Sequence, residues 1–363
     1  MFDEPTVLFL RDGAQNVEVA TNALVDFIGE ARSSLDIAIY DAHFATSRLL
    51  SHPGNQLLKA FDDAEARGVV LRAVYNDDDG PQGPYPFDYE PHKGPSFLAR
   101  FAKAVPSRGV DGRFDLMHHK YLVRDADSEV TAAVLTGSMN WTEDSFTRME
   151  NAVIALPGKD LAAAYAMDFQ HLWDRKEVDR AGRFDDLPAA LTYKGQPFLV
   201  RAFFSPGRGR NMSQVISRRV GEARQRIRIA SPVLTATPIL GTVAEVAFDN
   251  RVDLKVVIDG TQMRGVLQQW GIDGKAKWKV PLYQTIRDAG VLAEKRSTPY
   301  GTGSLHDFMH AKMIVADDWV LTGSFNASRS GEVNAENLLE IRSQSFADEC
   351  AAFIDEIHAD YRQ

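Results

Sequence analysis

The sequence of 363 residues has few of the features that mark secreted or membrane-embedded proteins. Its single cysteine, Cys350, cannot form an internal disulfide, so the chain does not require an oxidising compartment. No apolar run approaches the roughly 18 residues of a membrane span, and the amino terminus is acidic where a secretory signal would be basic. These absences predict a cytoplasmic protein.

Excess positive charge is also lacking, since the formal net charge is -9. A protein with this balance does not coat nucleic acid or anionic membrane through its overall field. The local exception is the range 201–228, which holds eight arginines against one acid, Glu222. Two interpretations of this range stay open, a track for a polyanion and a solvated helix face.

The chain repeats itself at a fixed offset. Residues 29–32 read Gly-Glu-Ala-Arg and recur at 221–224, an offset of 192 residues, and each copy runs from an amphipathic helix into an apolar strand. Each half also ends in a predicted helix, over 161–173 and 346–357. Alternating strands and helices predict an α/β fold with two domains, residues 1–188 and 189–363.

Two long stretches match no regular element in the sequence. They span 77–116 and 260–305, and both lead into the motifs described next. We expect them to form the walls and lid of a site. The second stretch carries Trp270 and Trp278 among lysines, which suits either stacking on nucleic-acid bases or contact with a lipid interface.

A polar motif, His-x-Lys-x4-Asp, occurs once in each half, again 192 residues apart. In each half it is followed by Gly-Ser-x-Asn and then by a Glu-Asn pair. The first copy consists of His118, Lys120, Asp125, Ser138, Asn140, Glu150 and Asn151. The second consists of His310, Lys312, Asp317, Ser324, Asn326, Glu336 and Asn337.

The spacing within the motifs predicts which side chains act together. Side chains alternate along a strand, so each histidine shares a face with its lysine, and Ser and Asn of Gly-Ser-x-Asn share a face that suits a phosphate. A carboxylate that accepts a hydrogen bond from an imidazole fixes its tautomer, and Glu150 and Glu336 are the predicted partners. Asp125 and Asp317 favour a structural role in bracing the following turn, although substrate contact stays open. His119 is expected to face away, and no metal site is predicted.

With its doubled His-x-Lys-x4-Asp and trailing Gly-Ser-x-Asn, the chain resembles the phospholipase D superfamily. The resemblance implies two halves related by a pseudo-twofold axis, each a mixed β-sheet flanked by helices, which share one active site. It also implies that His118 attacks phosphorus to give a covalent phosphohistidine while His310 protonates the leaving oxygen, with the reverse assignment left open. Lys120, Lys312 and the two motif asparagines would surround the non-bridging oxygens, and no metal or cofactor would be needed.

The expected function is therefore that of a phosphodiester hydrolase or transferase. A phospholipid is the favoured substrate, with possible peripheral membrane contact, and a metal-independent nuclease acting on DNA or RNA is the alternative. A binding or scaffold protein with a dead site is a third hypothesis, which two intact motifs disfavour. Because one chain supplies both motifs, a monomer is expected.

Overall fold

Each half of the chain builds its own β-sheet. The computed structural model describes residues 4–14, 17–44, 47–77, 97–183, 188–272, 274–299 and 305–362. The elements of the first half are β1 (Thr6–Leu10), α1 (Val17–Gly29), β2 (Ser34–Ile39), β3 (Ala42–His43), α2 (Pro53–Ala66), β4 (Val70–Asp77), α3 (Phe97–Ala104), β5 (Ser107–Asp111), β6 (Lys120–Arg124), β7 (Ala133–Gly137), β8 (Trp141–Thr142), α4 (Glu143–Thr147), β9 (Asn151–Pro157) and α5 (Lys159–Arg175). Those of the second half are β10 (Ala189–Tyr193), β11 (Gln196–Ser205), α6 (Gly209–Glu222), β12 (Arg226–Ser231), α7 (Thr237–Asp249), β13 (Asp253–Asp259), α8 (Gly260–Ile272), α9 (Lys279–Asp288), β14 (Leu292–Lys295), β15 (Met313–Ala316), β16 (Trp319–Gly323), β17 (Glu336–Arg342) and α10 (Gln344–Tyr361).

The two large sheets have the same strand order. The first runs β5-β4-β2-β6-β7-β9-β1, and the second runs β14-β13-β12-β15-β16-β17-β11 with β10 added at its edge. In each sheet three strands are parallel to one another, and the rest pair antiparallel. The predicted α/β fold of two equivalent halves, each a mixed sheet with helices, is therefore confirmed.

The strands are apolar on both faces because helices cover both sides of each sheet. In β2, for example, Leu35, Ile37 and Ala38 are all fully buried. One hydrophobic cluster includes residues of both halves, and the closing helices α5 and α10 contribute to it. Phe9 of the first half stacks on Phe353 of α10 with ring centroids 4.6 Å apart. The two halves thus pack through a shared core, and the boundary at residue 188 stays a prediction.

The long irregular stretches expected from the sequence contain regular elements, so this prediction is wrong in part. The second includes α8, α9 and β14, and the described part of the first includes α3 and β5, while residues 78–96 lie outside the described residues. The sequence does not show the helical period of α8, because only three of its residues are buried and one of these is a glycine. The three are Gly260, Met263 and Trp270. Trp270, 6% exposed, packs in the core instead of lining an open surface, whereas Trp278 is exposed.

The topology places both histidine motifs at one edge of their sheets. Strand β6 begins where the antiparallel strand β2 ends, because Lys120 pairs with Ile39. In the second sheet Met313 pairs with Ala230 in the same way. We call this edge of the two sheets, marked by these two pairs, the motif edge. The parallel strands β4, β5, β13 and β14 also end there.

Candidate active site

Each motif histidine is docked on the other half of the chain. The His118 backbone amide donates to the carbonyl of Ala335 at 2.9 Å, and the His310 amide donates to the carbonyl of Glu150 at 3.2 Å. These two contacts are related by the duplication, because each joins a histidine to the residues beside the start of the opposite β9 or β17. Both histidines are thereby brought to one site between the sheets.

The His118 imidazole pairs with a buried carboxylate. Its Nδ1 lies 2.9 Å from Oε2 of Glu336, which is fully buried and comes from the other half. Burial raises the pKa of Glu336 to about 7 in spite of the nearby Lys120 ammonium, which acts to lower it. The expected partnership of Glu336 with a histidine is present, and it leaves Nε2 as the ring nitrogen available for chemistry.

The expected partnership between Glu150 and the other histidine is wrong. His310 Nδ1 pairs instead with Oδ1 of Asn151 at 3.0 Å. The Glu150 carboxylate accepts hydrogen bonds from Lys295 Nζ at 2.9 Å to each oxygen, and another from the Tyr361 hydroxyl. Glu150 therefore belongs to a buried ion pair beside the site and does not contact the imidazole.

A difference of one residue between the repeats explains this exchange. The Ser138 amide donates to the carbonyl of Ala152, and the equivalent Ser324 amide donates to that of Asn337. Ala152 is thus equivalent to Asn337, and Asn151 is equivalent to Glu336. A one-residue shift turns a side chain to the opposite face of a strand. The two Glu-Asn pairs look alike in the sequence but are out of register in the fold.

The two motif lysines are buried beside the histidines. Lys120 Nζ donates to the carbonyl of His118, and Lys312 Nζ donates to that of His310, both at 2.7 Å. Burial lowers the pKa of Lys120 to about 7, and burial together with repulsion from Lys120 lowers the pKa of Lys312 well below its usual range. Such lysines are poised to gain charge when an anion enters the site.

Burial and the two motif lysines depress the basicity of both imidazoles. Burial, followed by Lys120 and Lys312, holds the pKa of His118 well below its usual range. Burial and the same two lysines do likewise for the pKa of His310, to which His118 also contributes. Because each of these groups acts on the pKa of its neighbours, the histidines and lysines of both motifs lie close together in one buried cluster.

The motif asparagines and serines occupy different positions relative to this cluster. Within the part of the chain that the structure describes, the buried Oδ1 atoms of Asn140 and Asn326 have no hydrogen-bond partner. The Ser138 hydroxyl donates to Oδ1 of Asn151 at 2.7 Å, and the Ser324 hydroxyl accepts from the backbone amide of Asn337 at 3.0 Å. The serine hydroxyls therefore contact residues of β9 and β17, and their predicted contact with phosphate stays a prediction.

The first position of Gly-Ser-x-Asn must be glycine for a steric reason that the sequence does not show. A Cβ on Gly137 would lie 2.0 Å from the carbonyl oxygen of Ala152, and one on Gly323 would lie 2.4 Å from that of Asn337. Both glycines also have positive φ, +154° and +148°. Only glycine allows the neighbouring strand to approach this closely.

The motif aspartates have the structural role favoured by the sequence, although at a different turn. Asp125 accepts hydrogen bonds from the backbone amides of residues 32–34, and Asp317 accepts them from those of residues 224–226. Burial acts to raise the pKa of Asp125, but the amide hydrogen bonds outweigh it and the pKa is lowered. Both aspartates hold the junction between a helix and the following strand, β2 or β12.

The arginine-rich range 201–228 does not form one open track. It is divided among β11, α6 and β12, and several of its guanidinium groups are bound by acidic side chains. The ion pairs are Arg219 with Glu340, Arg226 with Asp348, and Arg228 with both Asp253 and Asp355. These contacts support a structural role for much of this positive charge.

Two further observations concern metals and membranes. Among the described residues, no group of three or more His, Cys, Asp or Glu side chains could together hold a metal ion. No helix within the described ranges is both long and apolar enough to cross a membrane.

The duplicated mixed sheets and the converging histidine-lysine motifs are those of the phospholipase D superfamily. Within it, the chain belongs to the family described as the cardiolipin synthase, PLD-like domain, whose model matches residues 24–173 and 216–358. Members of this superfamily are phosphodiesterases or phospholipid-modifying enzymes.

Curated relatives agree with this family, and a solved structure agrees with the fold. The chain is 23% identical over 150 residues to a mitochondrial cardiolipin hydrolase of Chlamydomonas reinhardtii, a match that covers 41% of this chain and 56% of the relative. It is 35% identical over 72 residues to that of Xenopus laevis, covering 19% of this chain and 32% of the relative. The chain thus spans about half the length, or less, of these relatives. Phosphatidylserine synthase of Haemophilus influenzae Rd KW20 has a similar fold, with a TM-score of 0.63, 12% identity and coverage of 98% of this chain and 86% of the other.

Proposed function

We propose that the protein cleaves phosphodiesters through a covalent phosphohistidine on His118, with His310 as general acid. The observation that carries this assignment is the unequal pairing of the two imidazoles. Glu336 places a carboxylate on His118, whereas Asn151 offers His310 a neutral amide. A carboxylate on Nδ1 raises the basicity of Nε2 and stabilises the positive ring that forms on attack, which favours His118 as the nucleophile.

The reaction proceeds in two balanced steps. The anionic substrate raises the pKa of His310 on entering the site, so that its ring takes up a proton. His118 Nε2 then forms a bond to phosphorus while the bond from phosphorus to the leaving oxygen breaks, and His310 donates its proton to that oxygen. His310 then removes a proton from water or an alcohol, whose oxygen attacks phosphorus and releases His118. Water gives hydrolysis, and an alcohol gives transfer.

The lysines and asparagines of the motifs stabilise the charge that develops on the non-bridging oxygens. Lys120 and Lys312 are buried next to the histidines, and Asn140 and Asn326 each carry a side-chain Nδ2 group that can donate to a phosphoryl oxygen. Preorganised donors in a buried site stabilise such charge more strongly than water does. We assign these four side chains to the phosphoryl oxygens.

A phospholipid is the substrate that the surface around the site favours. Large apolar side chains are exposed in the segments that follow the strand ends of the motif edge or lead into the second motif, namely Leu49, Leu50, Phe114, Ile272 at the end of α8, Trp278 at the start of α9, and Leu305. Lys279, next to Trp278, donates to the carbonyl of Thr235 in the loop after β12, which ties this corner to the motif edge. Exposed apolar groups flanked by lysines suit insertion between lipid headgroups.

Two other observations weigh against nucleic acid as the substrate. Acidic side chains bind several arginines of the range 201–228, and Trp270 is buried and cannot stack on bases. The names of the relatives, cardiolipin hydrolase and phosphatidylserine synthase, also favour a lipid.

The decisive experiment presents the protein with both substrate classes in parallel. Labelled cardiolipin, phosphatidylserine and phosphatidylcholine in mixed micelles are tested beside single-stranded and duplex DNA, with and without an added alcohol. We expect lipid cleavage, an acid-quenched phosphohistidine and its loss in His118→Ala. Cleavage of DNA with no lipid turnover would replace the lipid proposal by a nuclease, and no turnover of either would favour a binding protein.

Membrane contact is tested separately by sedimentation with anionic vesicles. Phe114→Ser and Trp278→Ser should each weaken vesicle binding severalfold without changing the turnover of a short-chain soluble lipid. Phe248→Ser is the matched control, because this residue is 81% exposed but lies near the end of α7 that faces away from the motif edge. Equal losses in all three variants would contradict a membrane surface at the motif edge.

A further inference from the structure

A buried polar network lies behind one of the two histidine motifs. His119 Nε2 lies 3.0 Å from Oδ2 of Asp168 as an ion-pair contact without hydrogen-bond geometry, and the Tyr121 hydroxyl donates to the same oxygen at 2.9 Å. On the other side of the ring, His119 Nδ1 lies 3.3 Å from Nδ2 of the Asn337 side chain. His119, Asp168 and Asn337 are fully buried, and Asn337 comes from the opposite half of the chain.

The Asn337 side chain is held at both ends. Its Oδ1 accepts hydrogen bonds from the Thr136 hydroxyl at 2.9 Å and the Tyr165 hydroxyl at 3.2 Å, while its Nδ2 contacts His119. The network therefore fixes one residue of β17 against β6, β7 and α5 of the first half.

The second half has no counterpart of this network. The Gly158 amide donates to the carbonyl of Ala132 as the Ser343 amide does to that of Asp318, which aligns α5 with α10. With this alignment and that of the motifs, the network residues are replaced by apolar or weakly polar ones. The positions equivalent to His119, Tyr121, Tyr165, Asp168 and Asn337 are Ala311, Met313, Cys350, Phe353 and Ala152.

The fold does not need these polar groups, since the second half packs the same positions without them. Burying them is costly, and Oδ1 of Asp168 has no hydrogen-bond partner among the described residues. Replacing a buried polar cluster by apolar residues of similar volume is often neutral or stabilising. A reason other than stability is therefore required for the network in the first half.

The position of the network supplies that reason. His119 directly follows His118, and Asn337 directly follows Glu336. Successive side chains of an extended segment point to opposite faces. The network therefore joins segments 118–119 and 336–337 on the face opposite to the His118 imidazole and the Glu336 carboxylate. We propose that His119, Asp168 and Asn337 are positioning residues that hold His118 and Glu336, which come from different halves, in the geometry for attack on phosphorus.

This inference rests on the proposed phosphohistidine mechanism and deepens it. Attack on phosphorus depends on the placement of Nε2 to within a fraction of an ångström, whereas proton transfer by His310 is served by the simpler contact with Asn151. The network thus commits the first motif to the nucleophilic role.

The test transplants the residues of the second half into the first. The fourfold variant His119→Ala, Tyr121→Met, Asp168→Phe, Asn337→Ala is compared with Asp168→Asn, which keeps the shape and removes the charge. We measure the rate of phosphohistidine formation by rapid acid quench, the rate of its hydrolysis, KM and thermal unfolding. Met313→Leu, at the position equivalent to Tyr121, is the control.

We expect both variants to form phosphohistidine about 10- to 100-fold more slowly, by analogy with the loss seen when the groups that orient metal-binding imidazoles are removed. Hydrolysis of the intermediate and KM should change by less than about threefold, a split that a general loss of folded protein would not produce. Met313→Leu should match the parent chain.

The outcomes separate the two proposals. If the parent chain forms phosphohistidine and Asp168→Asn forms it at the same rate, the positioning role is overturned while the mechanism stands. If the fourfold variant unfolds, Asp168→Asn alone decides. If the parent chain forms no phosphohistidine with a cleavable substrate, the mechanism and the positioning role fall together.

Discussion

Replacing Glu336 by glutamine removes the negative charge that lies next to His118 and nearly preserves the shape of the side chain at position 336. The two groups are 2.9 Å apart at their closest atoms and are both buried. For charges about 4 Å apart at an effective dielectric constant of about 20, the interaction is about 4 kcal/mol. If the positive ring exists only after attack, this energy is lost from the transition state, and the rate should fall about a thousandfold.

The assay is single-turnover formation of phosphohistidine over a range of pH. In the parent chain the rate should fall as the pH drops below about 7, because the raised pKa of Glu336 lets the carboxyl group protonate and lose its charge. Glu336 and Lys120 interact, so the profile reports the pair and not one residue. In Glu336→Gln this acid limb should weaken or disappear.

Glu150→Gln is the matched control, because the sequence makes the two glutamates look equivalent. Its carboxylate binds Lys295 and not an imidazole. We expect the variant to lose about 3–5 kcal/mol of unfolding free energy, the range for removing one partner of a buried ion pair. Its rate per folded molecule should remain within about threefold of the parent. Similar rate losses in both variants, or a loss below about tenfold in Glu336→Gln, would refute the assigned pairing.

Three further outcomes are expected. Asp125→Ala should lower the free energy of unfolding in urea by about 2–4 kcal/mol, because it leaves several backbone amides without an acceptor, and a change below about 0.5 kcal/mol would contradict its bracing role. Lys120→Met should abolish turnover and flatten the pH dependence of stability. In the parent chain the pKa of Lys120 is about 7 in the folded state and 10.5 in the unfolded chain, so the unfolded state binds more protons between these values and stability should rise with pH across that window. An unchanged slope in the variant would show that Lys120 is not the titrating group. EDTA should leave lipid turnover unchanged, and a loss that zinc restores would contradict the metal-free mechanism.

Much of the fold was predictable because the duplication is written in local patterns. The recurrence of Gly-Glu-Ala-Arg and of His-x-Lys-x4-Asp at one offset identified equivalent halves, and the 3.6-residue period predicted the closing helices α5 and α10. The helices α8 and α9 were not predicted because few of their residues are buried, and the glycines of α8 and Pro281 of α9 weaken that period further. Their formation depends on packing against the rest of the second half, as between α7 and α9.

The sequence by itself determined which residue types the site contains and that two histidines come from two halves. It could not determine the pairing between the halves, because the same letters, Glu-Asn, stand at positions that differ by one residue in the fold. The alternation of side chains along β9 and β17 turns that single residue into opposite faces, which gives His118 a carboxylate and His310 an amide. Only the hydrogen-bonded register of the strands decided which imidazole is paired with a carboxylate, and therefore why two nearly identical motifs are unequal.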